Sequence, residues 1–96
     1  MIPEVHILVN DYYYGNGVCS SDIVQVFEDF DEAYDAMCNS SLEFQHDCDM
    51  GEYPDFVDFT VDISERVVTV KSAKDPNVFE RYSIETRLVI QRKNED

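Results

Sequence analysis

The chain has no lysine or arginine among its first 65 residues, which hold sixteen aspartates and glutamates. The first basic residue is Arg66, and residues 66–96 contain seven basic and five acidic residues, so the net charge is −14. Nucleic acid and anionic membranes repel a chain of this charge. The imbalance therefore argues against direct binding to either and favours a basic protein as the partner.

The lack of long apolar segments and of paired cysteines further narrows the class of protein. No apolar run approaches the ~18 residues of a membrane span, and no basic segment precedes an apolar one at the N-terminus, so we expect neither a membrane helix nor a signal peptide. Three cysteines, Cys19, Cys38 and Cys48, are an odd number at no metal-ligand spacing. We therefore expect reduced thiols and a cytoplasmic protein.

The remaining composition is that of a folded protein. Hydrophobic residues make up 44% of the chain and aromatic residues 12%, whereas disordered acidic segments are poor in both. Ninety-six residues without an internal repeat or a linker predict a single domain over residues 1–96.

Two strands are predicted at the start, Glu4–Asn10 and Ser21–Glu28, because both are rich in β-branched residues. Gly15, Asn16 and Gly17 tolerate positive φ and predict a tight reversal, so the strands should form an antiparallel hairpin. His6 is expected to be a packed or a solvated residue of the first strand and not a catalytic one. The three tyrosines before the turn have two readings, a strand end with rings on both faces or a contact patch for another protein: Tyr12, Tyr13 and Tyr14.

A helix is predicted to begin after Asp29, whose carboxylate can cap free backbone N–H groups. Phe30, Ala33, Tyr34 and Met37 form one apolar stripe, and Asp31, Glu32 and Asp35 lie on the opposite face. We expect this helix to end near residues 39–41, or to fray toward Phe44, and residues 42–55 to be an irregular loop.

The second half predicts three strands. Residues 56–63 alternate, with Val57, Phe59, Val61 and Ile63 directed inward and Asp58, Thr60 and Asp62 outward. Residues 67–72 form the next strand. Residues 78–91 are long for one strand and are expected to be bent or bulged, with Tyr82, Ile84, Leu88 and Ile90 inward. The resulting fold is α+β, a mostly antiparallel sheet of about five strands with one helix, in the order strand-strand-helix-strand-strand-strand.

The sequence gives little support for a catalytic site or a metal-binding site. An EF-hand loop starting at Asp47 would need glycine at its sixth position, but Gly51 falls at the fifth. The cysteines and histidines form no recognisable nucleophile arrangement or paired zinc ligands. We expect no enzyme activity, no cofactor and no designed metal site, although the acids of residues 47–52 leave weak cation binding open.

The acidic residues themselves are the candidate site. Same-face residues of a strand lie roughly 6.6 Å apart, and duplex DNA carries one charge per ~3.4 Å along each strand, so acids on neighbouring elements can match the charge density of a phosphate backbone. The alternative is a solvated acidic face that serves solubility alone. The predicted partner-binding acids are Asp31, Glu32, Asp35, Asp47, Asp49, Glu52, Asp55, Asp58 and Asp62.

In its small size, its base-free first 65 residues and its aromatic α+β pattern, the chain resembles the phage-encoded inhibitors that mimic DNA, such as anti-restriction and anti-CRISPR proteins. The resemblance implies a non-enzymatic blocker of a host nucleic-acid-binding protein. It covers composition and not a motif, so it assigns no residue a role. The alternative function is a small interaction or regulatory module that uses the tyrosines or an open sheet edge, and a homodimer is compatible with either.

Overall fold

One helix lies against one five-stranded sheet in the computed structural model, which describes residues 3–14 and 17–89. The predicted α+β class, order of elements and number of strands are confirmed. A short 3-10 helix, Pro54–Phe56, follows the α-helix. The other elements are β1 (Glu4–Tyr13), β2 (Cys19–Phe27), α1 (Phe30–Asp49), β3 (Phe59–Ile63), β4 (Val67–Ser72) and β5 (Phe79–Leu88).

The strands are ordered β2-β1-β5-β4-β3, and every neighbouring pair is antiparallel. The predicted β1–β2 hairpin is therefore confirmed, and β2 and β3 are the two edges of the sheet. Gly17, next to the turn, has φ 87°, a conformation that glycine adopts without a steric penalty. The rest of the predicted reversal, Gly15 and Asn16, lies outside the described residues.

The helix covers one face of the sheet, which we call the helix face; the other is the open face. Leu8 of β1 lies opposite Ile84 of β5 on the helix face, and both are buried. Because side chains alternate along a strand, the even-numbered positions of β1, β4 and β5 face α1 and the odd-numbered ones face outward. His6 is buried on the helix face, where Nδ1 lies 3.0 Å from Thr86 Oγ1, so of the two expected alternatives it is the packed one.

Helix α1 continues eight residues beyond the predicted end at residues 39–41, and five beyond the alternative of fraying toward Phe44, so the predicted loop from residue 42 is wrong over its first eight residues. The polar residues 39–41 lower helix propensity by only a few tenths of a kcal/mol each. Burial of Phe44 and Cys48 continues the stripe begun by Ala33 and Met37, so packing outweighs propensity. The helix ends at Asp49, and Gly51 (φ 81°), two residues further on, donates its N–H to the Cys48 carbonyl.

Strand β3 starts at Phe59 and not at residue 56. Pro54 fits the first turn of a helix, where its missing N–H is not needed, and the 3-10 helix that follows buries Phe56. Phe59 and Val61 pack against the core as predicted. The expectation that Val57 and Ile63 face inward is wrong, since their side chains are 63% and 66% exposed; both lie at or beyond the ends of the strand.

Strand β5, Phe79–Leu88, is shorter and more regular than the predicted strand over residues 78–91. Its registers with β1 and β4 run without a shift, and the irregularity of the described sheet lies instead between Leu8 and Val9, against β2. Tyr82 and Ile84 are buried as expected, but Leu88 is 55% exposed because it ends the strand beyond the reach of α1. The predicted inward Ile90 lies outside the described residues.

Candidate protein-binding surface

The outer face of α1 carries only one sign of formal charge. Helix residues are about 100° apart, which places Asp31, Glu32, Asp35 and Asp49 within one arc of about 100°. All four are exposed, and α1 contains no lysine or arginine. Asp29, just before the helix, accepts a hydrogen bond from the Asp31 N–H, so the predicted cap is confirmed and fixes where this surface begins.

Two further acids lie on the flank of α1 that faces β2. Glu43 is exposed, and Asp47 is half-buried. With these two, α1 carries six acids over a rise of about 27 Å, one per ~5.4 Å on average, against one phosphate per ~3.4 Å along a DNA strand. The linear charge density of the helix is therefore roughly 60% of that of one nucleic-acid strand.

The predicted acids that follow the helix lie at its C-terminal end. Glu52 and Asp55 are exposed in the connection to β3, and Asp55 belongs to the 3-10 helix. Asp58 is exposed just before β3, where its carbonyl accepts from the Ala73 N–H. These three continue the acidic region beyond the end of α1 without belonging to its outer face.

Asp62 does not share this surface. Its neighbour Val61 packs against the core on the helix face, so alternation directs Asp62 to the open face. There its carboxylate accepts from Lys71 Nζ at 2.8 Å. The structure therefore separates Asp62 from the predicted acids of α1, and its charge is paired on the far side of the sheet.

The described basic residues lie mainly on the open face. Lys71 of β4 and Arg81 and Arg87 of β5 occupy odd-numbered positions there. Arg81 lies over the Phe79 ring at 4.7 Å, and Arg66 lies over the Phe30 ring at 5.0 Å, near the start of α1. The domain is therefore partly polarised, with the acids of α1 on the helix side and three of the five described lysines and arginines on the open face.

The three tyrosines do not form one patch. Tyr12 stacks on Tyr14 at 4.9 Å, and Tyr14 meets Phe56 edge-on at 5.9 Å, so both rings are on the helix face. Tyr13 lies opposite Phe79 on the open face. The arrangement matches the reading of a strand end with rings on both faces, and any contact role for the tyrosines stays a prediction.

One charged side chain that sequence reasoning missed is Glu80, which is 5% exposed. Its Oε1 accepts from the Tyr14 hydroxyl at 2.5 Å, and its Oε2 accepts from Asn10 Nδ2 at 2.8 Å and from the Tyr82 hydroxyl at 3.0 Å. No basic side chain pairs with it among the described residues. Three neutral donors thus satisfy the carboxylate.

Burial and the Glu80 carboxylate raise the pKa of nearby side chains. Desolvation, followed by the interaction with Glu80, raises the pKa of both Tyr14 and Tyr82 well above the usual tyrosine range, so both remain neutral donors. Burial, with smaller contributions from Asp49 and Asp47, raises the pKa of the Cys48 thiol to about 11. Cys48 is therefore a protonated, unreactive thiol at neutral pH.

Above Glu80, between α1 and β2, lies an open cavity of about 280 Å³. Glu43, Asp47 and Ser40 of α1 form one wall, and Val24 of β2 forms the other. We call this cavity the acidic groove. The rest of its lining comes from Asn10, Phe44, Tyr53, Glu80 and Tyr82.

Two other kinds of site are not found among the described residues. Over residues 3–14 and 17–89, no three His, Cys, Asp or Glu side chains are grouped so that they could hold a metal ion. The helices in that part of the chain are too short or too polar to cross a membrane. Comparisons with protein-family models, curated proteins and solved structures found no match for this chain.

Proposed function

We propose that this chain is a non-enzymatic inhibitor or decoy that binds the basic, nucleic-acid-binding surface of another protein. The observation that carries the proposal is the outer face of α1, where three exposed carboxylates near its start and a fourth, Asp49, at its end span about 27 Å with no lysine or arginine among them. A groove built from lysine and arginine to hold phosphates offers complementary charge over a similar length.

The distribution of charge favours binding over solubility alone. A solvated helix commonly intersperses acids with bases, which pair at i,i+4 and stabilise it. In α1 the corresponding pair is Asp31 and Asp35, two like charges one turn apart, which destabilise it by a few tenths of a kcal/mol. The described bases could have screened these acids but lie mostly on the open face, so the helix side keeps a strong negative potential.

In this proposal the chain acts in the cytosol, and its mode of action is that of the DNA-mimicking phage inhibitors it resembles, including the anti-restriction and anti-CRISPR types. It needs no cofactor and no catalytic residue, because occupation of the basic site is itself the inhibition. The fast, electrostatically steered association expected for such a ligand weakens steeply as salt increases.

The proposal is tested by capturing partners from a lysate of the native host and measuring whether the chain displaces labelled duplex DNA from the captured protein. The test variant is Asp35→Lys with Asp49→Lys, both exposed on the outer face of α1. The matched control is Glu65→Lys with Glu85→Lys, also exposed but away from α1, which changes the net charge equally.

We expect the helix variant to weaken displacement at least about tenfold, or ~1.4 kcal/mol, because two attractive contacts become repulsive. The control variant should stay within about threefold of the wild type. Equal losses for both variants, or an affinity that does not change between 50 and 300 mM salt, would contradict the proposal.

A further inference from the structure

Strand β2 is an edge of the sheet with nine residues available for pairing. Its inner side pairs with β1, and no strand of the described chain lies along its outer side. An edge of this length offers a row of backbone N–H and C=O groups that can pair with an added strand. The other edge, β3, has only five residues.

The two sides of this edge differ in chemistry. On the open face, Ile23 lies opposite Val9 and Val26 opposite Ile7, so four apolar side chains form a block at the end of the sheet. Ile23 is 66% exposed and Val26 51% exposed. An added strand would extend this block by placing its own apolar side chains beside them.

On the helix face, the same edge borders the acidic groove. The register shift between Leu8 and Val9 pairs these residues with Gln25 and Ile23, which leaves Val24 as the extra residue of a bulge. Val24 lines the groove across from Glu43 and Asp47. Side chains of an added strand that point to this face would therefore lie next to two carboxylates, with Glu80 below them.

We propose that β2 receives an extended segment of a basic partner protein as a sixth strand, with lysine or arginine side chains in the acidic groove and β-branched apolar side chains on the open face. This inference rests on the proposed function, which supplies the basic character of the partner. It adds the place where the partner segment binds and the alternation of basic and apolar residues that this segment should have. A second copy of the chain fits poorly, because residues 19–27 contain no base to place beside Glu43 and Asp47.

The probe is a capped nine-residue peptide that alternates valine and lysine, compared with a peptide of the same composition in which identical residues come in pairs. Binding is measured by calorimetry, and hydrogen exchange of the backbone amides locates it. The test variant is Glu43→Gln with Asp47→Asn, which removes the groove charges. Its matched control is Glu65→Gln with Glu85→Gln, two exposed acids away from α1 whose replacement removes the same number of charges, with circular dichroism confirming that both variants fold.

We expect the alternating peptide to bind at least tenfold more tightly than the paired-order peptide and to slow amide exchange within Cys19–Phe27. The groove variant should weaken that binding at least tenfold, and the control by no more than about threefold. Equal binding of both peptides, or slowed exchange at β3 in place of β2, would overturn strand addition. Absence of any peptide binding would overturn it too, and the DNA-displacement experiment would still decide the proposed function separately.

Discussion

The hydrogen bonds to Glu80 give a prediction that is independent of any partner. Replacing Tyr14 by Phe removes the donor to Oε1 and leaves that oxygen with no other donor among the described side chains. Replacing Tyr82 by Phe removes one of the two donors to Oε2, which keeps its bond from Asn10. The two substitutions thus remove the same kind of hydroxyl with different consequences for one carboxylate.

A hydrogen bond to a charged group contributes about 1.5–3 kcal/mol, and an oxygen left buried without a donor adds a desolvation penalty. We therefore expect Tyr14→Phe to lower the free energy of unfolding by about 2–3 kcal/mol. Tyr82→Phe should lower it by about 1.5–2 kcal/mol, because Oε2 retains a donor. At about 4–8 °C per kcal/mol for a domain of this size, both losses are visible in thermal melts.

The pH dependence of the free energy of unfolding tests the same hydrogen bonds in a second way. Since the folded state raises the pKa of Tyr14 and Tyr82 above the value of about 10 in the unfolded chain, their contribution to stability is complete below pH ~10 and is lost as the pH rises further. At pH 11 the contribution of each tyrosine to the free energy of unfolding should have fallen by about 1.4 kcal/mol. The difference between wild type and Tyr14→Phe should therefore shrink by about that amount.

The assay is urea unfolding at pH 7 and at pH 11, followed by circular dichroism, with Tyr12→Phe as the control. Tyr12 stacks on Tyr14, but its hydroxyl is not a donor to Glu80. A loss below about 0.5 kcal/mol for Tyr14→Phe at pH 7, or a loss equal to that of the control, would refute the assigned hydrogen bond. A loss that does not change with pH would refute the account of the raised tyrosine pKa.

Two further predictions concern stability. Met37→Ala, at a fully buried position of α1, should lower the free energy of unfolding by about 2–5 kcal/mol through the cavity it leaves; a loss below 1 kcal/mol in urea unfolding would show that the helix is not packed as described. Asp62→Asn should change it by less than about 1 kcal/mol, since the pair with Lys71 is solvent-exposed; a larger change in the same assay would contradict the view that this pair contributes little.

The sequence predicted which elements form better than where they end. Periodicity identified all five strands and the helix, because each buries one face and repeats its apolar residues accordingly. The end of α1 was misplaced at residues 39–41 because local propensity was read there without knowledge of the packing. Phe44 and Cys48 find buried positions against the sheet, and that tertiary gain extends the helix through the weak segment.

The buried Glu80 shows a different limit. It shares strand parity with Tyr82 and Ile84, so alternation alone would have directed it inward. Glutamate is rarely fully buried, and its partners Asn10 and Tyr14 lie 70 and 66 residues away in the chain, so no local pattern reveals them. The alternation along the strand therefore already indicated that Glu80 points inward. The donors that satisfy its carboxylate could be identified only from the folded structure.

The side on which Asp62 lies could have been deduced. In a two-layer domain the helix covers the apolar face of the sheet, so the polar face of every strand is turned away from the helix. The outward face of β3 and the outer face of α1 are thus opposite sides of the molecule. Grouping their acids into one surface overlooked this geometry, although the identification of exposed acids on α1 needed only the helical period.

The place of β5 between β1 and β4 has a consequence for how the domain assembles. The sheet consists of a hairpin near the N-terminus and a three-stranded meander formed after α1, and the two are joined only where β1 meets β5, with pairs such as Glu4 and Leu88 some 80 residues apart in the chain. Contacts at such sequence separation slow folding, because a large loop must close before they form. During synthesis neither sheet segment can complete the core that holds α1 until β5 has been made. The acidic helix therefore reaches its packed orientation on the complete sheet only after β5 has been made.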